Sequence, residues 1–109
     1  MSKGKNMETK KKTFAQLRKE LGKYLGVTNA PSRNGRNTAP NQFIFHYANG
    51  EVFQSYDSIC GVMLDGDRLY LGKDHDLSVT TNRFVGHWCG FSKQERLKGI
   101  ANGTFGVII

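Results

Sequence analysis

Apolar side chains recur along this chain with two spacings, and the change from one to the other divides it. Between residues 14 and 25, Phe14, Leu17, Leu21, Tyr24 and Leu25 fall three or four apart, while Arg18, Lys19 and Lys23 lie off that face. This is the repeat of an amphipathic helix. Thr13-Phe-Ala-Gln16 fits a capping box at its start, and Gly26 is a natural stop. From Gln42 the repeat shortens to two. Phe43, Phe45 and Tyr47 alternate with Ile44, His46 and Ala48, so both faces of this strand carry apolar surface. Asn49-Gly50 predicts a tight turn through positive φ, Val52–Tyr56 the returning strand, and Asp57-Ser58 a kink before Ile59–Leu64. Asp65-Gly66 predicts a second tight turn, into Arg68–Leu71. The expectation is a three- or four-stranded antiparallel meander.

After the polar loop Gly72–Leu77 the helical spacing returns. Phe84, Val85 and Trp88 suit a helix of about two turns starting near Thr80 and ending at Gly90, with Phe84 and Trp88 in the core. Ser92-Lys-Gln-Glu95 is a second capping box, opening a helix whose apolar members are Leu97, Ile100 and Ala101. Asn102-Gly103 ends it, and Thr104–Ile109 supplies a terminal strand or tail. The fold class expected is α+β: a small antiparallel meander packed with short C-terminal helices, preceded by a basic N-terminal helix on a flexible linker. The segments read as a disordered basic tail (1–12), an amphipathic basic helix (13–26), a linker holding both prolines (27–41) and a domain (42–109) that folds without them.

Charge sharpens this division. Residues 1–36 hold ten Lys and Arg against two Glu, whereas residues 37–109 hold six basic and seven acidic residues. The net charge of +7 therefore belongs to the arm, which points toward a polyanion. Lys10, Lys11, Lys12, Arg18, Lys19, Lys23, Arg33 and Arg36 are its candidate nucleic-acid or polyanion-binding residues. Alternatively the arm only solubilises, or the helix docks on its own domain, in a partner groove or on a membrane surface. No stretch approaches the roughly 20 apolar residues of a membrane span. Basic residues interrupt any signal-peptide core, so a cytoplasmic location is expected.

The stretch from Gly50 through Leu71 to the Ser78-x-Thr80-Thr81 segment, followed by the Lys/Glu-rich terminal helix, resembles a family of small uncharacterised proteins of bacteriophages and bacterial mobile elements. Gly50, Val52, Ser55, Tyr56, Ser58, Gly66, Leu69, Tyr70, Leu71, Ser78, Thr80 and Thr81 carry the resemblance, which spans about residues 42–107 and leaves the arm outside. It implies a protein made in a bacterial host cell and transfers no activity. Gly72–Leu77 and His87-Trp-Cys89 depart from the pattern, so nothing functional carries over there.

Candidate chemistry elsewhere is thin. His46, His75, His87, Cys89, Asp74 and Asp76 lack the paired spacings of a zinc site, so no metal is expected. Cys89 beside His87 names a nucleophile and a base but no orienting group or oxyanion site, so no catalytic residue is assigned. Cys60 and Cys89 lie in no CxxC arrangement and are expected as reduced, partly buried thiols. Asp65, Asp67, Asp74 and Asp76 read as turn residues. The strand aromatics Phe43, Phe45, Tyr47, Phe53, Tyr56 and Tyr70 are expected mostly in the core; a stacking face for single-stranded bases is the competing reading. The function expected is a non-enzymatic accessory protein that binds a bacterial host protein, without cofactor. The alternative is DNA or RNA binding through the arm.

Overall fold

The computed structural model describes residues 10–32 and 38–109. Residues 1–9 of the tail expected over 1–12, together with Arg33 and Arg36, lie outside the described residues. The fold is α+β. One seven-stranded mixed sheet runs in the order β1-β7-β6-β5-β4-β3-β2. Its strands are β1 (Lys10–Lys12), β2 (Tyr24–Pro31), β3 (Thr38–Tyr47), β4 (Gly50–Ser55), β5 (Ser58–Leu64), β6 (Arg68–Leu71) and β7 (Gly106–Ile108). The helices are α1 (Phe14–Leu21), α2 (Val79–Cys89) and α3 (Lys93–Ala101). Strands β2 to β6 form an antiparallel meander, and β7 pairs in parallel with both β6 and β1.

Two expectations for the N-terminal segments are corrected. Lys10–Lys12 is an edge strand and no part of a disordered tail: Lys10 pairs with Gly106, and the Ile109 amide donates to the Lys12 carbonyl at 2.9 Å. The expected linker over 27–41 is largely sheet. Val27, Thr28 and Asn29 pair with Phe45, Ile44 and Phe43, and Pro31 with Thr38. Proline is tolerated here because β2 is an edge strand with a register shift beside Pro31.

Helix α1 opens on the expected capping box, with Thr13 accepting from the Gln16 amide and Gln16 accepting from Thr13. It stops at Leu21, short of the expected residue 25, because Gly22 takes φ +77° and turns the chain into β2. Leu17 and Leu21 are fully buried against Val52, Val62, Leu64 and Tyr70, whereas Leu25 is 63% exposed. The other sheet face packs α2 and α3 through Val85, Cys89, Phe84, Trp88 and Ile100 onto Phe53, Cys60, Leu69 and Leu71. The register shift at Cys60 turns both Cys60 and Gly61 toward α2.

The turns hold two further corrections. Asp65 and Gly66 do take positive φ between β5 and β6. In the β3–β4 turn, however, Tyr47 pairs with Gly50, so Ala48 and Asn49 occupy the loop and neither Asn49 nor Gly50 has positive φ. Gly50 serves another purpose: a Cβ there would collide with the Met63 carbonyl. The kink expected at Asp57-Ser58 is a full reversal, with Ser55 opposite Ser58 and Tyr56 at φ 54°. Tyr56 is held there by its amide on Asn41 and its carbonyl under Gln54, both at 2.7 Å.

Helix α3 buries Arg96 and Gly99 and leaves Leu97 and Ala101 exposed, so its inward face is rotated from the expected Leu97 stripe. Several resemblance positions turn out to be structural. The Ser55, Thr81 and Ser78 hydroxyls form a chain at 3.1 and 3.2 Å that ties the end of β4 to the start of α2.

Candidate functional site

Because α1 has only eight residues, it covers the central strands and leaves β2 and β3 beside it uncapped on the same face. Side chains two apart on a strand share a face and lie about 6–7 Å apart. This sets Phe43, Phe45 and Tyr47 in a row, joined by Tyr24 from β2. The ring centroids are 6.3 Å apart for Phe43–Phe45, 6.4 Å for Tyr24–Phe45 and 5.4 Å for Tyr24–Tyr47. Tyr24 is 48% exposed, and the other three rings are half-buried. Val27, paired with Phe45 and 47% exposed, extends the strip. A shallow groove of about 190 Å³ runs between it and α1, lined by Phe14, Arg18, Phe45, Tyr47 and Gln54. The expectation that these strand aromatics serve mainly as core holds in part: Phe53 and Tyr70 are buried, Phe45 and Tyr47 pack half-buried against the core, Phe43 is half-buried outside it, and Tyr56 is exposed.

Charge along the strip has one sign. The Arg18 guanidinium lies 5.6 Å from the Tyr47 ring centroid, a cation–π contact. Lys19 is exposed on α1, and Lys23 is exposed beside the β3–β4 turn, its carbonyl accepting the Ala48 amide at 2.8 Å. Strands β2 and β3 carry no Asp or Glu. The one acid of β4, Glu51, meets Trp88 Nε1 at 3.0 Å and so faces α2 on the opposite side.

The six basic candidates among the described residues do not gather into one patch. Lys10, Lys11 and Lys12 sit on β1, at the far edge of the sheet from β2. Lys12 is spoken for: it pairs with Glu20 at 2.5 Å, which raises the lysine pKa and lowers that of the carboxylate, and it lies over the Tyr70 ring. Glu20 also meets Arg68 at 3.4 Å. Of the described candidates, Arg18 touches the aromatic strip, Lys23 directly precedes Tyr24, and Lys19 stands exposed on α1. Sequence reasoning missed Tyr24 and Val27 as site residues by reading them as helix and linker. The β-branched pair Val27-Thr28 after an early Gly22 was the available signal.

The remaining chemical groups are dispersed. Among the described residues no three His, Cys, Asp or Glu side chains converge as a metal site would require. Burial pushes the Cys60 thiol up to about 11 and raises that of Cys89, whose Sγ donates to the Phe91 carbonyl at 3.7 Å. His46 bonds Thr28 at 2.8 Å, and His75 is buried against Arg96. A protein-family model described as a family of unknown function (DUF8033) matches residues 5–102. That match begins inside the basic arm and runs through the sheet. No curated protein and no solved structure matches the chain.

Proposed function

The chain belongs to the DUF8033 family, and we propose that it binds single-stranded nucleic acid across the open face of β2 and β3. The row of four aromatic rings with Arg18 against Tyr47, on strands without a carboxylate and next to the exposed Lys19 and Lys23, carries this reading. Every base has a π-face, so such a row accepts successive bases with little sequence preference, while the cations meet the phosphates. A duplex hides its base faces and loses the stacking contribution. This differs from binding through a free arm: the lysines of β1 are remote, and the rings do the selecting.

Fluorescence anisotropy with a labelled single-stranded oligonucleotide, set against the matching duplex, tests it. Stacking is worth about 1–3 kcal/mol per base by alanine substitution. Tyr24→Ala and Phe43→Ala should each weaken binding between about fivefold and 150-fold. With three phosphate contacts, the log–log salt slope on a single strand should be about −2. Equal affinity for duplex, or single-strand affinity unchanged in both variants, would refute it.

A protein partner is the second reading, favoured by the open edge of β2 and the 63% exposure of Leu25. An exposed edge offers backbone donors and acceptors for an added strand. On either reading the setting is the one the resemblance to phage and mobile-element proteins implies: the cytoplasm of a bacterial host cell, with a host protein as partner in the second case. Absence of oligonucleotide binding at low salt, together with loss of a host-lysate partner on Leu25→Lys, would favour it over the first.

A further inference from the structure

On the other side of the sheet, α2 and α3 meet at a corner that forms an open depression of about 490 Å³. Its wall includes Asn82, Arg83, His87, Phe91, Lys93 and Arg96, and none of its lining residues is a carboxylate. Arg96 is fully buried. Its Nε donates to His75 Nδ1 at 3.0 Å, its Nη1 to the Phe91 carbonyl at 2.8 Å, and its Nη2 to Asn82 Oδ1. Two of these acceptors are uncharged amide oxygens. The third, His75, has its pKa lowered, first by burial and then by Arg96 and Lys93 against the opposing pull of Asp76. Among the described residues Arg96 has no carboxylate partner.

A buried guanidinium held only by neutral acceptors retains most of its desolvation penalty. It gains from any anion that reaches it. Nη1 lies just beneath Gly86, where even a methyl group would come within 3.2 Å of it. Arg83 and Lys93 stand exposed at the same depression, Lys93 loosely engaged by Asp76 at 3.5 Å. The capping box of α3 occupies the Ser92 and Glu95 amides, leaving those of Lys93 and Gln94 as open donors on the first turn.

We propose that this corner is a binding site for a phosphate group, free or as a phosphomonoester, held by Arg83 and Lys93 above the buried charge of Arg96. A tetrahedral dianion suits this mixture of two exposed cations and first-turn amides better than a halide does, because its several oxygens can each accept a bond. The site is on the opposite sheet face from the aromatic strip and does not depend on nucleic-acid binding there.

Titration of the full chain with inorganic phosphate and, separately, with AMP, followed by amide and arginine side-chain NMR, tests this. Chloride at equal ionic strength serves as the control. The expected result is saturable shifts of the Lys93 and Gln94 amides and of Arg96 Nε–H, with a midpoint in the millimolar range or below. A tighter midpoint for AMP with the same signals moving identifies an esterified phosphate as the source, and equal midpoints identify the ion itself. Arg83→Gln combined with Lys93→Gln, both at exposed positions, should weaken binding at least about tenfold while the remaining spectrum is preserved. Shifts that grow linearly and match those from chloride would overturn the proposal, as would undiminished affinity in the double variant.

Discussion

Leu17→Ala is the most direct test of whether the N-terminal segment is an integral layer of this protein. Leu17 is fully inaccessible, enclosed with Leu21 by Val52, Val62, Leu64 and Tyr70. Truncating a buried leucine removes its transfer free energy and leaves a cavity, at a cost of about 2–5 kcal/mol. Leu17 sits mid-helix over a sheet that cannot collapse into the space, so about 3 kcal/mol is expected. For a domain of roughly 100 residues that lowers the melting temperature by about 12–24 °C. Leu25→Ala is the control: the same chemical change at a residue 63% exposed should stay within about 0.5 kcal/mol. Urea unfolding followed by circular dichroism separates the two, and an unchanged slope would assign the difference to stability alone. Coincident midpoints for wild type, Leu17→Ala and Leu25→Ala would refute the integral layer and restore an independent arm. The same reasoning reverses the expectation that residues 42–109 fold by themselves: a chain beginning at Asn41 would bare the α1 face and leave β3 without β2.

Gly61→Ala should destabilise by about 1–3 kcal/mol through overpacking, since a Cβ there would lie 2.7 Å from the Trp88 ring. Displacement of Trp88 from Phe53, now 5.5 Å away, should also shift its fluorescence, and an unchanged spectrum would count against the packing described. His75 has a folded pKa below its ordinary 6.5, so the unfolded chain binds the proton more readily. Stability is then complete above about pH 6.5 and falls as the pH drops through it; urea midpoints in His75→Gln should lose part of that slope. Ser92→Ala, removing the α3 cap, should cost about 1 kcal/mol in the same melts. With its pKa pushed up to about 11, Cys60 should react with a thiol reagent at pH 8 only as the protein unfolds, and prompt labelling would contradict its burial.

Features written in a few adjacent residues were legible in the sequence. Both capping boxes, the reversal at Asp65-Gly66 and the αL stop at Gly90 each depend on groups within four positions of one another. Lys10–Lys12 carries no strand pattern, because its pairing is supplied by Gly106–Ile108 at the other end of the chain. The edge position of β2 excuses Asn29 and Pro31, which read as loop residues wherever a second neighbour strand would be needed. Half of the candidate strip was visible as the alternation of Phe43, Phe45 and Tyr47. Its exposure was not, because that follows from the shortness of α1. The burial of Arg96 was hidden for a similar reason: its three acceptors come from the loop before α2, from α2 itself and from the α2–α3 connection.

The parallel pairing of β1 with β7 has a consequence for synthesis. Residues 10–12 emerge from the ribosome long before Gly106–Ile108, the strand that receives them. Until then the growing chain can assemble the local hairpins from β2 to β6, but β1 has no partner and β6 has a bare edge. Closing a loop that spans most of the chain is entropically slow. The nascent protein therefore passes through an interval in which its unpaired edge is open to neighbouring chains. Three lysines carried on the waiting strand are the kind of charge that discourages such pairing.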